Sequence, residues 1–195
     1  MSIEEQYRKP NLASEPLFYF NSDKLSENIA FVKENNIERL MLIPNPNGYN
    51  LKNLDFLEKI SNIKELHMGA CNQIKNYDGL KFLSNLKVLI IGENKKDKID
   101  FSSLENLEIL GFWYSKNIVG FDKLLNIKKL GVNSANKDFL NHSIFSKFTE
   151  LTELGIAMSI IDSDLKFLSD NKIIESLTFS HMRKSFDLEG IQNLK

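Results

Sequence analysis

The stretch NLEILGFWYS, Asn106 to Ser115, decides how this chain is read. Leu110 and Phe112 stand two residues apart, which puts both on one face of a β-strand and points that face at a core. The other face then carries Ile109, Gly111 and Trp113, the only tryptophan in the sequence. A strand that shows an isoleucine and a tryptophan on its outer face raises the question of what covers them.

The same pattern recurs along the chain. NIERLML (Asn36 to Leu42), NIKELHM (Asn62 to Met68), NLKVLII (Asn85 to Ile91), NLEILGF (Asn106 to Phe112) and NIKKLGV (Asn126 to Val132) align directly. ELTELGI (Glu150 to Ile156) and IIESLTF (Ile173 to Phe179) are looser copies. The central leucines are Leu40, Leu66, Leu89, Leu110, Leu130, Leu154 and Leu177, with successive differences of 26, 23, 21, 20, 24 and 23. L-x-x-L-x-L at such intervals resembles the leucine-rich repeat family along nearly the whole chain. The resemblance implies an α/β solenoid of about seven to eight repeats, with a parallel sheet on the concave side and short helical or 3₁₀ segments on the convex side. The family's next slot, usually Asn or Cys, falls at Asn45, Cys71, Asn94, Ser115, Ala135, Ser159 and Met182. Only the first three match well, so the buried side-chain hydrogen bonds that Asn gives to loop backbone must be replaced in the later coils.

The physical logic stands without the family name. Before each strand, apolar residues recur every three: Leu80, Leu83, Leu86; Phe101, Leu104, Leu107; Phe121, Leu124, Ile127; Phe145, Phe148, Leu151; Leu188, Ile191, Leu194. That spacing suits a 3₁₀ turn or a short helix with one buried edge. A single coil cannot bury its own leucines, but stacked coils share a continuous core. Ser22 to Glu34 predicts a helix with Ser22 as N-cap and Leu25, Ile29 and Val32 on one face. PLFYF, Pro16 to Phe20, predicts an edge strand, and residues 1–13 read as an irregular tail before a single domain over 14–195. EGIQNLK, Glu189 to Lys195, begins another repeat without its strand. Either this last segment caps the core, the favoured reading, or the sequence is truncated there, or a second subunit covers the end, giving a monomer or a weak dimer.

Composition bounds the function. A chain of 195 residues with 42% hydrophobic and 26% charged residues is long enough for one core and too apolar to be disordered. A formal charge of −1 gives no global drive toward nucleic acid or an anionic membrane. A single cysteine, Cys71, excludes an intramolecular disulfide, and the start MSIEEQYRKPN lacks a signal-peptide pattern, so a cytoplasmic location is expected. The wealth of Asn, Lys and Ile suggests a bacterial source.

Chemistry is sparse. His67, His142 and His181 have no metal-ligand spacing, there is no glycine-rich phosphate loop, and Cys71 occupies a structural slot of the repeat. Glu65 and Glu153 stand four strands apart, too far for a glycosidase pair. PNPNG, Pro44 to Gly48, is turn chemistry. Neither an enzyme nor a cofactor is expected.

Strand alternation assigns the outward rows. The first is Arg39, Glu65, Val88, Ile109, Lys129, Glu153, Ser176; the second Met41, His67, Ile90, Gly111, Gly131, Gly155, Thr178; the third Ile43, Gly69, Gly92, Trp113, Asn133, Ala157, Ser180. Met41, Ile43, Val88, Ile90, Ile109 and Trp113 form an apolar patch with His67 among them and Tyr114 at its rim. Such a patch marks a surface that binds another protein, with Trp and Tyr as anchors. The alternative is that Trp113 lies back over the backbone of Gly92, Gly111 and Gly131. Glu93 to Lys98, Lys116 and Lys137 line up either as a basic rim for an acidic partner or as a solvated loop face. Three further functions remain open: an immunity or antitoxin protein that occludes a toxin, the recognition part of a larger enzyme, and an assembly module that uses its C-terminal end.

Overall fold

The computed structural model describes residues 7–8, 16–42, 51–69, 73–94, 96–162, 164–192 and 194. Its strands are β1 (Tyr7–Arg8), β2 (Leu17–Tyr19), β3 (Arg39–Leu42), β4 (Glu65–Met68), β5 (Val88–Ile91), β6 (Ile99–Asp100), β7 (Ile109–Trp113), β8 (Ile118–Val119), β9 (Lys129–Asn133), β10 (Glu153–Ala157) and β11 (Ser176–Ser180). The helices are α1 (Leu25–Glu34) and α2 (His142–Phe145). One sheet runs β1-β2-β3-β4-β5-β7-β9-β10-β11, so strand order follows chain order. Every pair from β2 onward is parallel, and β1 joins β2 antiparallel. A separate ladder of β6 with β8 ties neighbouring loops on the far side of the strands.

Register is that of the repeat. Leu40, Leu66, Leu89, Leu110, Leu130, Leu154 and Leu177 are successive partners across the sheet. The carbonyl two residues before each of the first six of these leucines accepts two N–H groups from the next coil. Glu38 O takes Lys64 N at 2.8 Å and Glu65 N at 3.1 Å; Lys64 O takes Lys87 and Val88; the pattern continues to Thr152 O, which takes Glu175 and Ser176. Side chains at the same positions form an exposed charge row, Lys64–Glu38 at 2.8 Å, Lys87–Glu108 at 3.0 Å and Lys128–Glu108 at 2.9 Å. Exposed pairs of this kind contribute little stability but fit the coil spacing.

The period-three residues close i to i+3 bonds as their spacing predicts. Leu83 N donates to Leu80 O and Leu86 N to Leu83 O, each at 3.0 Å; Phe101, Leu104 and Leu107 repeat the arrangement, as do Phe145, Phe148 and Leu151. All nine of these side chains are at most 1% exposed. Phenylalanines fill the space between turns and sheet. Phe112 meets Phe101 edge-on at 6.2 Å and Phe139 at 5.5 Å, and Phe139 meets Phe145 at 5.7 Å.

Three expectations are revised. The first helical segment starts as a 3₁₀ turn at Ser22–Lys24 capped by Asn21, not Ser22: the Asn21 side chain accepts Asp23 N, and Asn28, buried in α1, accepts Asn21 N at 2.7 Å. β2 is not the edge of the sheet, because β1 pairs outside it within the stretch read as a tail. The final segment covers the core only in part. Phe186 packs on Phe179 at 4.9 Å, and Gly190, at φ 110°, lies where a Cβ would be 2.5 Å from the Leu165–Lys166 backbone. Leu177 and Phe179 nevertheless remain partly exposed.

The slot for Asn shows how the later coils compensate. Asn94 Oδ1 accepts Lys96 N and Asp97 N in the expected way. Ser115 Oγ accepts Asn117 N. Ala135 has no acceptor of its own, and its N–H is taken at 2.8 Å by Ser159 Oγ of the next coil, which in turn donates to Ala157 O at 2.7 Å. Asn45 and Cys71 lie outside the described residues. Ser159→Ala leaves the buried Ala135 N–H unpaired and is expected to cost about 1–3 kcal/mol. Urea unfolding checks this as a lower midpoint at unchanged slope.

Candidate functional site: the concave face

The outward rows lie where alternation put them. Each concave strand from β3 to β10 alternates outward residues with buried ones, and the register aligns Met41, His67, Ile90, Gly111, Gly131, Gly155 and Thr178 in one row. Met41, Val88, Ile90, Ile109 and Trp113 are partly exposed; those on β5 and β7 form a continuous apolar band, from which Met41 on β3 is separated by Glu65 and His67 of β4. Ile43 lies outside the described residues.

Tyr114 departs from the set. It follows the outward Trp113 and turns to the opposite side, where its ring lies 5.4 Å from Phe139 and packs against the core. Burial there, with the charge of Asp138, raises its hydroxyl pKa. Tyr114 belongs to the packing of the loop layer.

Trp113 does not lie over Gly111 or Gly131. The atom nearest a Cβ built on Gly111 is Ile90 Cδ1, at 2.8 Å; near Gly131 there is only Gly111 Cα at 3.9 Å; near Gly155 nothing lies within 4 Å. Ile90 therefore leans over Gly111, while Gly131 and Gly155 leave bare backbone. A cleft of about 600 Å³ runs over this floor, with Trp113 and Asn133 on one side and Ile90 at one end. A smaller space of about 290 Å³ continues it toward Lys129 and Glu153.

Strand lengths place this cleft. The ladder of β4 with β5 reaches Met68–Ile91, and that of β7 with β9 reaches Trp113–Asn133, but β5 with β7 stops at Ile90–Gly111. Strands lengthen from four residues to five at β7, and the cleft lies over this seam. The last three long strands end on left-handed residues at equivalent positions, Ser134, Met158 and His181, with φ of 57°, 51° and 50°. Such values carry strain in residues other than glycine.

Two polar clusters flank the apolar band. Arg39 donates to both Glu65 oxygens, at 2.6 and 3.1 Å, and His67 Nε2 lies 2.7 Å from Glu65 Oε1. Burial alone would raise the Glu65 carboxyl, but hydrogen bonds from His67 and Arg39, with their charges, outweigh it and hold the group at about 2. At the other end Lys129 pairs with Glu153 at 2.6 Å. Sequence reasoning put these residues in the outward rows without pairing them, although the repeat spacing already made Arg39 neighbour Glu65 and Lys129 neighbour Glu153. The lysines of the loop rim are mixed with local partners: Asp97 lies 3.8 Å from Lys75 and Lys98 3.3 Å from Asp100. Lys95 lies outside the described residues.

No protein-family model and no curated protein matches this sequence. Solved structures do. Internalin C2 of Listeria monocytogenes is similar over 87% of this chain and 71% of its own length, with a TM-score of 0.67 and 22% identity. Internalin F of the same organism is similar over 95% of this chain and 58% of its own length, at 0.61 and 16%. TLR13, solved as a complex with ssRNA13, is similar over 91% of this chain and 30% of its own length, at 0.61 and 17%. The chain thus spans about three fifths of internalin F and under a third of TLR13. The fold is that of the leucine-rich-repeat solenoids.

The folded pKa of Glu65 lies below its ordinary 4.5. Its cluster therefore contributes stability that is present above that value and lost as pH falls through about 2. Thermal unfolding followed from neutral to strongly acidic pH is expected to show this acid-dependent loss in the native chain and a smaller one in Glu65→Gln.

Proposed function

We propose that this chain is a non-catalytic module that binds another protein through its concave face. The observation that carries the reading is the open glycine floor beside Trp113: a large aromatic ring stands next to bare backbone that it does not cover. Apolar side chains at a partner's centre fill such a space, and ordered aromatic anchors supply most of the binding energy. Met41, Val88, Ile90, Ile109 and Trp113 are the contact set, with His67 at its polar margin and Ile43 assigned by sequence alone.

Electrostatics favours a protein over a nucleic acid. On the concave face Arg39 is held by Glu65 and Lys129 by Glu153, so phosphates would have to compete with carboxylates already in place. Among the described residues no helix is long and apolar enough to cross a membrane. The low cysteine usage supports a cytoplasmic setting.

The test is retention of a partner by the immobilised chain, followed by calorimetric titration with the retained protein. Trp113→Ala is expected to weaken affinity by about 2–4 kcal/mol and Ile90→Ala by about 1–2 kcal/mol. Gly155→Phe is the complementary probe. A Cβ there has no atom within 4 Å, so the backbone tolerates the substitution, and the ring is expected to fill the trough and abolish binding with native circular dichroism retained. Unchanged affinity in all three variants rejects the concave face as the binding surface.

A further inference from the structure

The middle outward row changes character at β7. Gly111, Gly131 and Gly155 follow one another in register on β7, β9 and β10. Ile90 leans over Gly111, but near a Cβ built on Gly131 only Gly111 Cα lies within 4 Å, at 3.9 Å, and near Gly155 nothing does. From Gly131 to Gly155 the floor is therefore sheet backbone, a flat strip of Cα atoms and peptide planes. Adjacent strands stand about 4.8 Å apart, and the next outward side chains along each strand are two residues away, roughly 6.6 Å to either side. A planar six-membered ring fits that opening in full contact, whereas a branched aliphatic group touches a flat floor through its methyls and leaves gaps. Sheets cover glycine with an aromatic ring from a neighbouring position. Among the described residues no ring atom comes within 4 Å of the Gly131 or Gly155 position, so the cover is missing here.

The walls set the polarity of what fits. On the first-row side Lys129 and Glu153 satisfy each other at 2.6 Å, so a cationic or anionic occupant would have to displace one of them. On the third-row side stand Trp113 and Asn133, register partners across β7 and β9. Trp113 is diagonal to Gly131, a separation that large aromatic side chains span. Asn133 is half-buried, and among the described residues its side-chain amide makes no hydrogen bond. An amide both donates and accepts, and one covered by a partner without a hydrogen bond loses its water for nothing in return. Electrostatic complementarity thus selects a flat apolar body with no charge and a neutral hydrogen-bonding tip.

The geometry points to a tyrosine side chain of the partner protein as the occupant. Its ring lies on the Gly131 and Gly155 backbone beside the Trp113 ring, and its hydroxyl meets the Asn133 amide. This inference rests on the reading of the concave face as a protein-binding surface and names the residue type at its centre. Phenylalanine covers the floor but leaves the Asn133 amide unpaired. Leucine does neither, and lysine or arginine competes with Lys129 for Glu153.

N-acetyl-tyrosinamide, N-acetyl-phenylalaninamide and N-acetyl-leucinamide are the probes, titrated into the native chain and followed by NMR. The tyrosine probe is expected to saturate with a Kd on the order of 10 mM and to move the Gly131 and Gly155 signals upfield by ring current. The Trp113 indole and Asn133 side-chain signals move with them. Phenylalanine is expected to bind roughly threefold more weakly and leucine roughly tenfold. In Asn133→Ala, an outward position, the tyrosine and phenylalanine probes become equal, and Trp113→Ala weakens both. No shift at the two glycines up to about 50 mM, leucine binding as tightly as tyrosine, or a tyrosine preference that survives Asn133→Ala would each overturn the inference. If Trp113→Ala weakens the partner while the probes show no tyrosine preference, the concave face stands as the binding surface and only the tyrosine assignment falls. If partner affinity is unchanged in Trp113→Ala, Ile90→Ala and Gly155→Phe, both fall together.

Discussion

One backbone acceptor per coil keys this molecule. The carbonyl two residues before each of the first six central leucines takes two consecutive N–H groups from the next coil, at 2.8 and 3.1 Å for Glu38 and with the same pattern through Thr152. Because the side-chain period of a strand is two, locking that point locks every residue after it to one face or the other. The leucine ladder, the phenylalanines behind it and the outward rows in front all follow. Shifting one coil by a residue would turn Leu110 and Phe112 outward and bury Gly111 and Trp113 in their place.

The concave surface inherits its character from this constraint. Its charged residues sit in rows that the register brings side by side, so Arg39 meets Glu65 and Lys129 meets Glu153. The charges cancel locally, and the apolar band between them dominates what a partner would meet. The cleft exists because the β5–β7 ladder stops short and glycine occupies the middle row on three adjacent strands. Among the described residues of the third row, Trp113 is the first to fall inside a strand, which is why it stands at the margin of the cleft and not in a loop.

Much of this was legible in the sequence, because the repeat is its own alignment. The positions of the leucines fixed which residues are neighbours across strands more than twenty apart, and the period-three turns followed from Leu80, Leu83 and Leu86 and their counterparts. What escaped depends on local geometry that periodicity does not encode. Tyr114 lies one residue past the strand, where alternation alone could not tell rim from loop core, and the Phe139 ring decided it. Asn21 took the cap from Ser22 because a buried Asn28 draws the Asn21 backbone inward. The alternative in which Trp113 roofs the glycines is not supported at Gly111, because Ile90, one strand away, reaches that position first. The replacement for Asn at Ala135 came from the next coil, through Ser159, and single-coil reading has no access to such a loan.

The central claim is that the Trp113 ring stands clear of the glycine floor on an open concave surface. Since this is the only tryptophan, acrylamide quenching of intrinsic fluorescence reads it without ambiguity. The account predicts a red-shifted emission that is readily quenched in the free chain, and unchanged when Gly155 is replaced by alanine. Blue-shifted emission with little quenching would show the ring packed down as part of the sheet and would contradict the account.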